Sequence, residues 1–136
     1  ASAASSSNVS AMLALVNGER RKAAAPPLAL EPRLCSAAQA HCVDMAQHHS
    51  PGHVGSGGSS LASRIIGAGY AFSAIAENVG CAETAQATMD SFMKEVPPHD
   101  GHRRNVLNPI YHDIGIGYAT DGRGHHYWTL DFAKRA

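Results

Sequence analysis

"DIGIGYATDGRGHHYWTLDF", residues Asp113 to Phe132, decides the fold. Two runs, "DIGIGYAT" and "HHYWTLDF", alternate in the manner of half-buried strands and flank Asp121-Gly122-Arg123-Gly124. Period-two alternation on both sides of a glycine-rich turn predicts an antiparallel C-terminal hairpin. The G-x-G of "GIGYATDG" lies inside a strand and opens no helix, so it is discarded as a phosphate cradle.

Working back from the hairpin, "PPHDGHRRNVLNP" (97–109) packs two histidines, an aspartate and two arginines between two proline brakes. Before it, Thr84 to Met93 carries Ala85, Thr88, Met89 and Phe92 at helical spacing and is stopped by Val96-Pro97-Pro98, because a residue before proline avoids the helical region. "FSAIAENVG" (72–80) is a short apolar run interrupted by Glu77 and Asn78. A carboxylate there is costly to bury unless paired, so Glu77 needs a partner. "HHSPGHVGSGGSS" (48–60) reads as a loop carrying His53, followed by a short helix from Leu61 to Ile66 that Gly67 and Gly69 end.

Further back, Val9, Met12, Leu13 and Val16 repeat at three and four residues, with Arg20, Arg21 and Lys22 in a last turn that favours cations. Pro32 suits the first turn of a second helix, whose stripe is Leu34, Ala38, His41 and Met45. His41 on that stripe is expected to be a satisfied core histidine. Residues 1–8 ("ASAASSSN") are small and polar and are expected to form a flexible tail, leaving 9–136 as one domain. Helices, a short strand, a helix and a hairpin in that order imply an α+β class, an antiparallel sheet covered by helices.

Composition narrows the function. Eleven basic and eleven acidic residues balance in the 136-residue chain, so no long-range field favours nucleic acid or an anionic membrane. No apolar run approaches the roughly 20 residues needed to cross a bilayer. H-E-x-x-H, G-x-x-x-x-G-K and G-x-S-x-G are all missing. Three cysteines permit at most one internal disulfide. On one helix, Cys35 and Cys42 would stand about 10 Å apart, beyond disulfide reach. A bridge would therefore join Cys81 to either of them; the other reading is three reduced thiols.

Nine histidines are roughly two to three times ordinary usage. His53, Glu77-Asn78 and His102 become informative only together, since neutral imidazoles can hold a divalent metal that a carboxylate orients or charge-balances. Periodicity alone does not bring them together.

A resemblance does. "LVNGERRKAAAPPLALEPRLCSAAQAHCVDMA", "HVGSGGSSLASRIIGAGY", "AENVG", "GHRRNVLNPIYHDIGIGYATD" and "YWTLDF" resemble, in order, the motifs of the CAP superfamily of cysteine-rich secretory, antigen 5 and pathogenesis-related 1 proteins, in its compact bacterial and fungal style. The resemblance implies an α-β-α sandwich, secretion to the extracellular space, and a cleft lined by two histidines and two acidic residues. Position by position, it assigns His53 to the loop histidine, Glu77 to the E-N motif, and His102 to the G-H-R-x-N-I-L motif. His53, Glu77, Asn78, His102 and Ser63 form the implied binding cleft, with His53 and His102 as weak ligands for Zn²⁺ or another divalent cation.

The family's other acid precedes the arginine of the short third helix, where this chain has Ser63 before Arg64; its D-G after the loop histidine is Gly57-Gly58 here. Asp100 is a stand-in for the missing acid or a helix cap. Asn105 and Asn108 are expected to bond backbone, Val106 and Leu107 to pack, and Arg103 and His99 to be surface groups. The implied function is a secreted, monomeric binding module for a lipid, a sterol or a protein partner. The alternative is a metal-dependent hydrolase or protease, with His53 and His102 on the metal and Glu77 as general base.

Overall fold

The hairpin takes the alternation at its word. In the computed structural model, which describes the backbone of residues 3–136 and side chains from residue 6 onward, strands β3 (Asp113–Thr120) and β4 (His126–Arg135) pair antiparallel from Asp113↔Ala133 to Thr120↔His126. Strand β2 (Phe72–Gly80) joins the far side of β4, also antiparallel, with Glu77 opposite Asp131 and Asn78 opposite Leu130. A two-residue strand β1 (Ala29–Leu30), which the sequence did not announce, runs parallel to β3, so the order is β1-β3-β4-β2.

Among the described residues, five α-helices cover the sheet: α1 (Ala3–Lys22), α2 (Pro32–His48), α3 (Leu61–Gly67), α4 (Ala85–Met93) and α5 (Gly101–Leu107). The expected tail is corrected, because α1 begins at Ala3; Ala1 and Ser2 lie outside the described residues. Alanine is the best helix former and serine costs only a few tenths of a kcal/mol per residue, so a small polar run prolongs a helix that Val9 to Val16 anchor by packing.

On one face, α1 and α4 bury Met12, Val16, Met89 and Phe92 against Ile114, Ile116, Trp128, Leu130 and Phe132. Each fully buried side chain of this size contributes about 1.5–3 kcal/mol. Arg20, in the last turn of α1, is fully buried. It donates from Nη1 to the carbonyls of Val106 and Asn108 at 2.9 Å each and from Nε to that of Pro26 at 2.7 Å, which fixes the end of α5.

The other face receives α2 and α3. Helix α2 lies very close, because β3 offers glycines beneath it: a Cβ at Gly115 would overlap the Leu34 backbone, and one at Gly117 would come within 2.6 Å of the Ala38 carbonyl. Four residues along a helix advance about 6 Å and two along a strand about 6.7 Å, so Leu34 over Gly115 and Ala38 over Gly117 keep step. The discarded G-x-G is thus a seat for a helix. The same stepping seals the outer edge of β3: Glu31 N–H donates to the Ile114 carbonyl at 2.9 Å and the Gln39 amide pairs with both Tyr118 backbone groups at 2.9 Å.

The cysteines are all free, which resolves the alternatives left open. Cys42 is buried, donates to Thr129 Oγ1 at 3.1 Å, and its thiol is pushed up to about 12, chiefly by burial. Cys35 and Cys81 are only partly buried and exposed, respectively.

Candidate functional site

Strand β2 is the sheet's other edge, and the candidate site lies along it. Adjacent β2 residues point to opposite faces, so Glu77 shares the α2 face with Asp131 while Asn78 faces α5. The loop after α2 brings His53 to this edge. Asp44 accepts from Ser56 N–H at 2.8 Å and from its hydroxyl at 2.6 Å, and His41 Nε2 bonds the Gly52 carbonyl at 2.7 Å. Arg64 adds a bond from Nη1 to the His53 carbonyl at 2.9 Å. Gly57 and Gly58 turn this loop at φ +72° and +82°, where a side chain is strained.

His53, Glu77, Glu95, His99, Gly101, His102 and Asn105 line one cavity of about 350 Å³. His53 Nδ1 donates to Glu77 Oε1 at 3.0 Å, and His102 Nδ1 to Glu95 Oε2 at 2.7 Å. In a neutral imidazole whose Nδ1 proton is so engaged, Nε2 carries the lone pair, and among the described residues neither Nε2 has a hydrogen-bond partner. The side chains of His53 and His102 are 55% and 37% exposed, so both lone pairs are reachable. The His102 ring also stacks on Phe92, with centroids 5.1 Å apart.

Glu77 has the partners that its burial demands. Arg64 Nη2 reaches Oε1 at 3.1 Å and Oε2 at 2.9 Å. Burial alone would raise its carboxyl, but Asp131, His53 and Arg64 together hold it below the ordinary range. Asp131, fully buried opposite it, goes the other way: burial and then the Glu77 charge raise it well above the ordinary value. A proton kept on Asp131 avoids two facing buried charges, and neither Asp131 oxygen has another hydrogen-bond partner among the described residues. Glu95 is also held low, since its bonds to His102 and to the Arg103 N–H outweigh its burial.

Two implied cleft residues do not line this cavity. Asn78 is fully buried and ties β2 to α5, donating to the His102 carbonyl at 3.0 Å and accepting from Asn105 Nδ2 at 2.9 Å. Asn105 therefore bonds a side chain where backbone was expected. Ser63 is exposed and closes a capping box with Ser60 at the start of α3, which uses its hydroxyl. Asp100 precedes α5 without capping it through its side chain and pairs with Arg104 at 3.2 Å.

The second carboxylate lining the cavity is Glu95, neither Ser63 nor Asp100 being among its lining residues. Sequence reading passed over it because it sits in the irregular Lys94–Val96 stretch, where no periodicity marks a face. Its distance from His102, seven residues, was the available signal. His41 is buried as expected, but only one of its nitrogens is satisfied; Nδ1 has no partner among the described residues. Val106 packs as expected, Asn108 accepts from the Ile110 N–H at 3.1 Å, and His99 is exposed at the cavity rim.

Two imidazoles, each oriented by a carboxylate, therefore line one cavity and are the candidate donors for a divalent cation. Among the described residues no third histidine, cysteine or carboxylate completes a set.

A model of the cysteine-rich secretory protein family, CAP, matches residues 13–132. The chain is 30% identical over 118 residues to the uncharacterized protein YkwD of Bacillus subtilis (strain 168), a match covering 87% of this chain and 44% of that relative. It thus spans less than half the length of that curated relative. Its fold matches an extracellular protein containing an SCP domain from Bacillus anthracis str. Ames at TM-score 0.85 and 21% identity, covering 96% of this chain and 41% of that one. An outer surface protein of Borrelia burgdorferi matches at TM-score 0.85 and 15% identity, covering 96% and 94%. At these identities the likeness shows the fold.

Proposed function

This chain belongs to the cysteine-rich secretory protein (CAP) family, and from that premise we propose that it is an extracellular binding module whose working surface is the cleft at the free edge of β2. The carrying observation is that His53 and His102, brought together from a loop and from α5, line one cavity and each have Nδ1 held by a carboxylate. They would hold a divalent cation such as Zn²⁺, weakly, because a catalytic zinc ordinarily has three protein ligands. A cation bound there supplies an electrophilic anchor for an oxygen ligand. Affinity falls on acidification, because imidazole ligates only when neutral.

Binding is favoured over hydrolysis by the state of Glu77. Both its oxygens are taken by Arg64 and His53, and its carboxyl is held low, which makes it a poor proton acceptor. Calorimetric titration of Zn²⁺ at neutral pH into metal-stripped protein tests the reading. Heat is expected from the wild type and none from the His53→Ala/His102→Ala double variant; equal heats, or none in either, would overturn it.

A second surface supports a lipid or sterol. A groove of about 880 Å³ between α1 and α2 is lined by Val9, Leu30, Pro32, Cys35, Val43 and Ile116. Leu30 and Val43 are 42% and 41% exposed there, and a groove of this size and apolar character suits an acyl chain. A fluorescent fatty acid is expected to bind the wild type and to bind Val43→Glu more weakly. Unchanged binding would remove the groove as the site.

A further inference from the structure

The two sheet edges differ in their backbone, and the open one has the geometry of a peptide receptor. The direction of the backbone groups follows from bonds already described. The carbonyls of His112 and Ile114 accept from Ala29 and Glu31, and both backbone groups of Tyr118 pair with Gln39. Even-numbered β3 residues thus point away from β4, and Asp113, Gly115 and Gly117 point toward it, bonding Ala133, Asp131 and Thr129. The even-numbered residues of β4 are then left for β2, so Phe132, Leu130 and Trp128 bond Ala76, Asn78 and Gly80. By this alternation, Glu77 and Val79 direct their N–H and C=O groups out of the sheet. The alternation gives these four groups no partner in the sheet, and among the described residues no loop or turn backbone bond reaches them.

The space they face is a trough. The cavity holding His53 and Glu77 adjoins a second one, of about 450 Å³, lined among others by Gly52, Val79, Phe92, Glu95 and His102. Glu95 and His102 belong to both. One wall is the Pro51–His53 loop, the other is Phe92, Glu95 and His102, and the strand edge forms the floor. Exposed strand edges are ordinarily blunted by charge, proline or a covering element. The β3 edge follows that rule through α2, whereas the β2 edge between Glu77 and Val79 does not.

We infer that the β2 edge binds an extended peptide, which adds to the sheet as a fifth strand beside Glu77 and Val79. The inference rests on the cleft being a binding site and names the chemistry of its partner. Four unpaired backbone groups, in two sets about 7 Å apart, complement the repeat of an extended chain and no part of an acyl chain or sterol. Recognition is through the partner's main chain, the mode in which one chain extends another's sheet. Glu77 is charge-paired with Arg64, and Glu95 is hydrogen-bonded by His102 and the Arg103 N–H, so the partner's main chain rather than its charge is what the edge recognises.

The test uses the whole, metal-free protein and a capped peptide of alternating threonine and valine. Two further versions carry N-methyl groups on every second residue or on every residue. Amide resonances of Glu77 and Val79 are expected to shift with the parent peptide and to exchange more slowly with solvent. The half-methylated peptide still presents one unmodified edge and should bind comparably; the fully methylated one should lose at least tenfold. Absence of shifts at Glu77 and Val79 with millimolar parent peptide would overturn the inference, as would equal binding of all three versions. Because the Zn²⁺ titration reads His53 and His102 independently, a failed peptide test with intact metal binding leaves the cleft standing as a binding site, and the converse is equally readable.

Discussion

One sheet has two edges, and they have been given opposite treatments. At β3, Glu31 just before α2 supplies a backbone N–H to Ile114, Gln39 of α2 supplies a carboxamide to Tyr118, and two glycines let the helix approach. At β2, the nearest elements stand back on either side and contribute imidazoles and carboxylates. The difference teaches where structure ends and function begins: polar backbone is sealed at the edge that holds the fold together and left open at the edge that meets a ligand.

The comparison breaks most severely at Gly115. Gly115→Val would drive a side chain into the Leu34 backbone and push α2 off the sheet. A loss of about 3 kcal/mol or more is expected, read as a large drop in the urea midpoint. A small change would mean that α2 is not seated as described.

Asp131 sharpens the β2 side. A buried acid with a raised pKa keeps its proton when folded and loses it when unfolded, so its contribution is full below the unfolded value near 4 and declines as pH rises toward the folded one. The expected slope is about 1.4 kcal/mol per pH unit across that window. Asp131→Asn retains a donor to Glu77 and removes the slope, so unfolding curves of the two proteins should diverge steadily above about pH 4. Parallel curves would show that Asp131 is ionised.

At the sealed edge, Gln39→Ala strands the Tyr118 N–H and C=O. Because Tyr118 and Gln39 are only half-buried, the cost should sit near the lower end of the roughly 1–3 kcal/mol for an unsatisfied polar group, and the Tyr118 amide should lose its protection from hydrogen exchange while the Gly115 amide keeps its own. At the open edge, Glu95→Gln should leave stability nearly unchanged and weaken Zn²⁺ about tenfold, the lower end for an outer-shell partner. Unaltered affinity would show that Glu95 does not orient His102.

Much of this was legible beforehand, for reasons that differ by residue. The hairpin was, because its alternation and its Asp121–Gly124 turn are local properties. His53, Glu77 and His102 were named through the motif resemblance, and Glu77's need of a partner followed from its apolar setting. Glu95 was missed because it follows the last turn of a helix and has no pattern of its own. Ser63 was misplaced because a hydroxyl three residues after another is a capping residue as readily as a cleft residue, and the capping box claimed it. Residues 1–8 were read by polarity alone, although α1 continues through most of them.

The sequence by itself determined the α+β class, the strands of the hairpin, the helices with strong apolar stripes, and the family. These depend on periodicity, breakers and ordered motifs, which are written within a few residues of one another. Only the tertiary structure decided which glycines seat a helix, which carboxylate orients His102, and which backbone groups at β2 remain unpaired. Each of those depends on distances between residues tens of positions apart, set by how the helices close over the sheet.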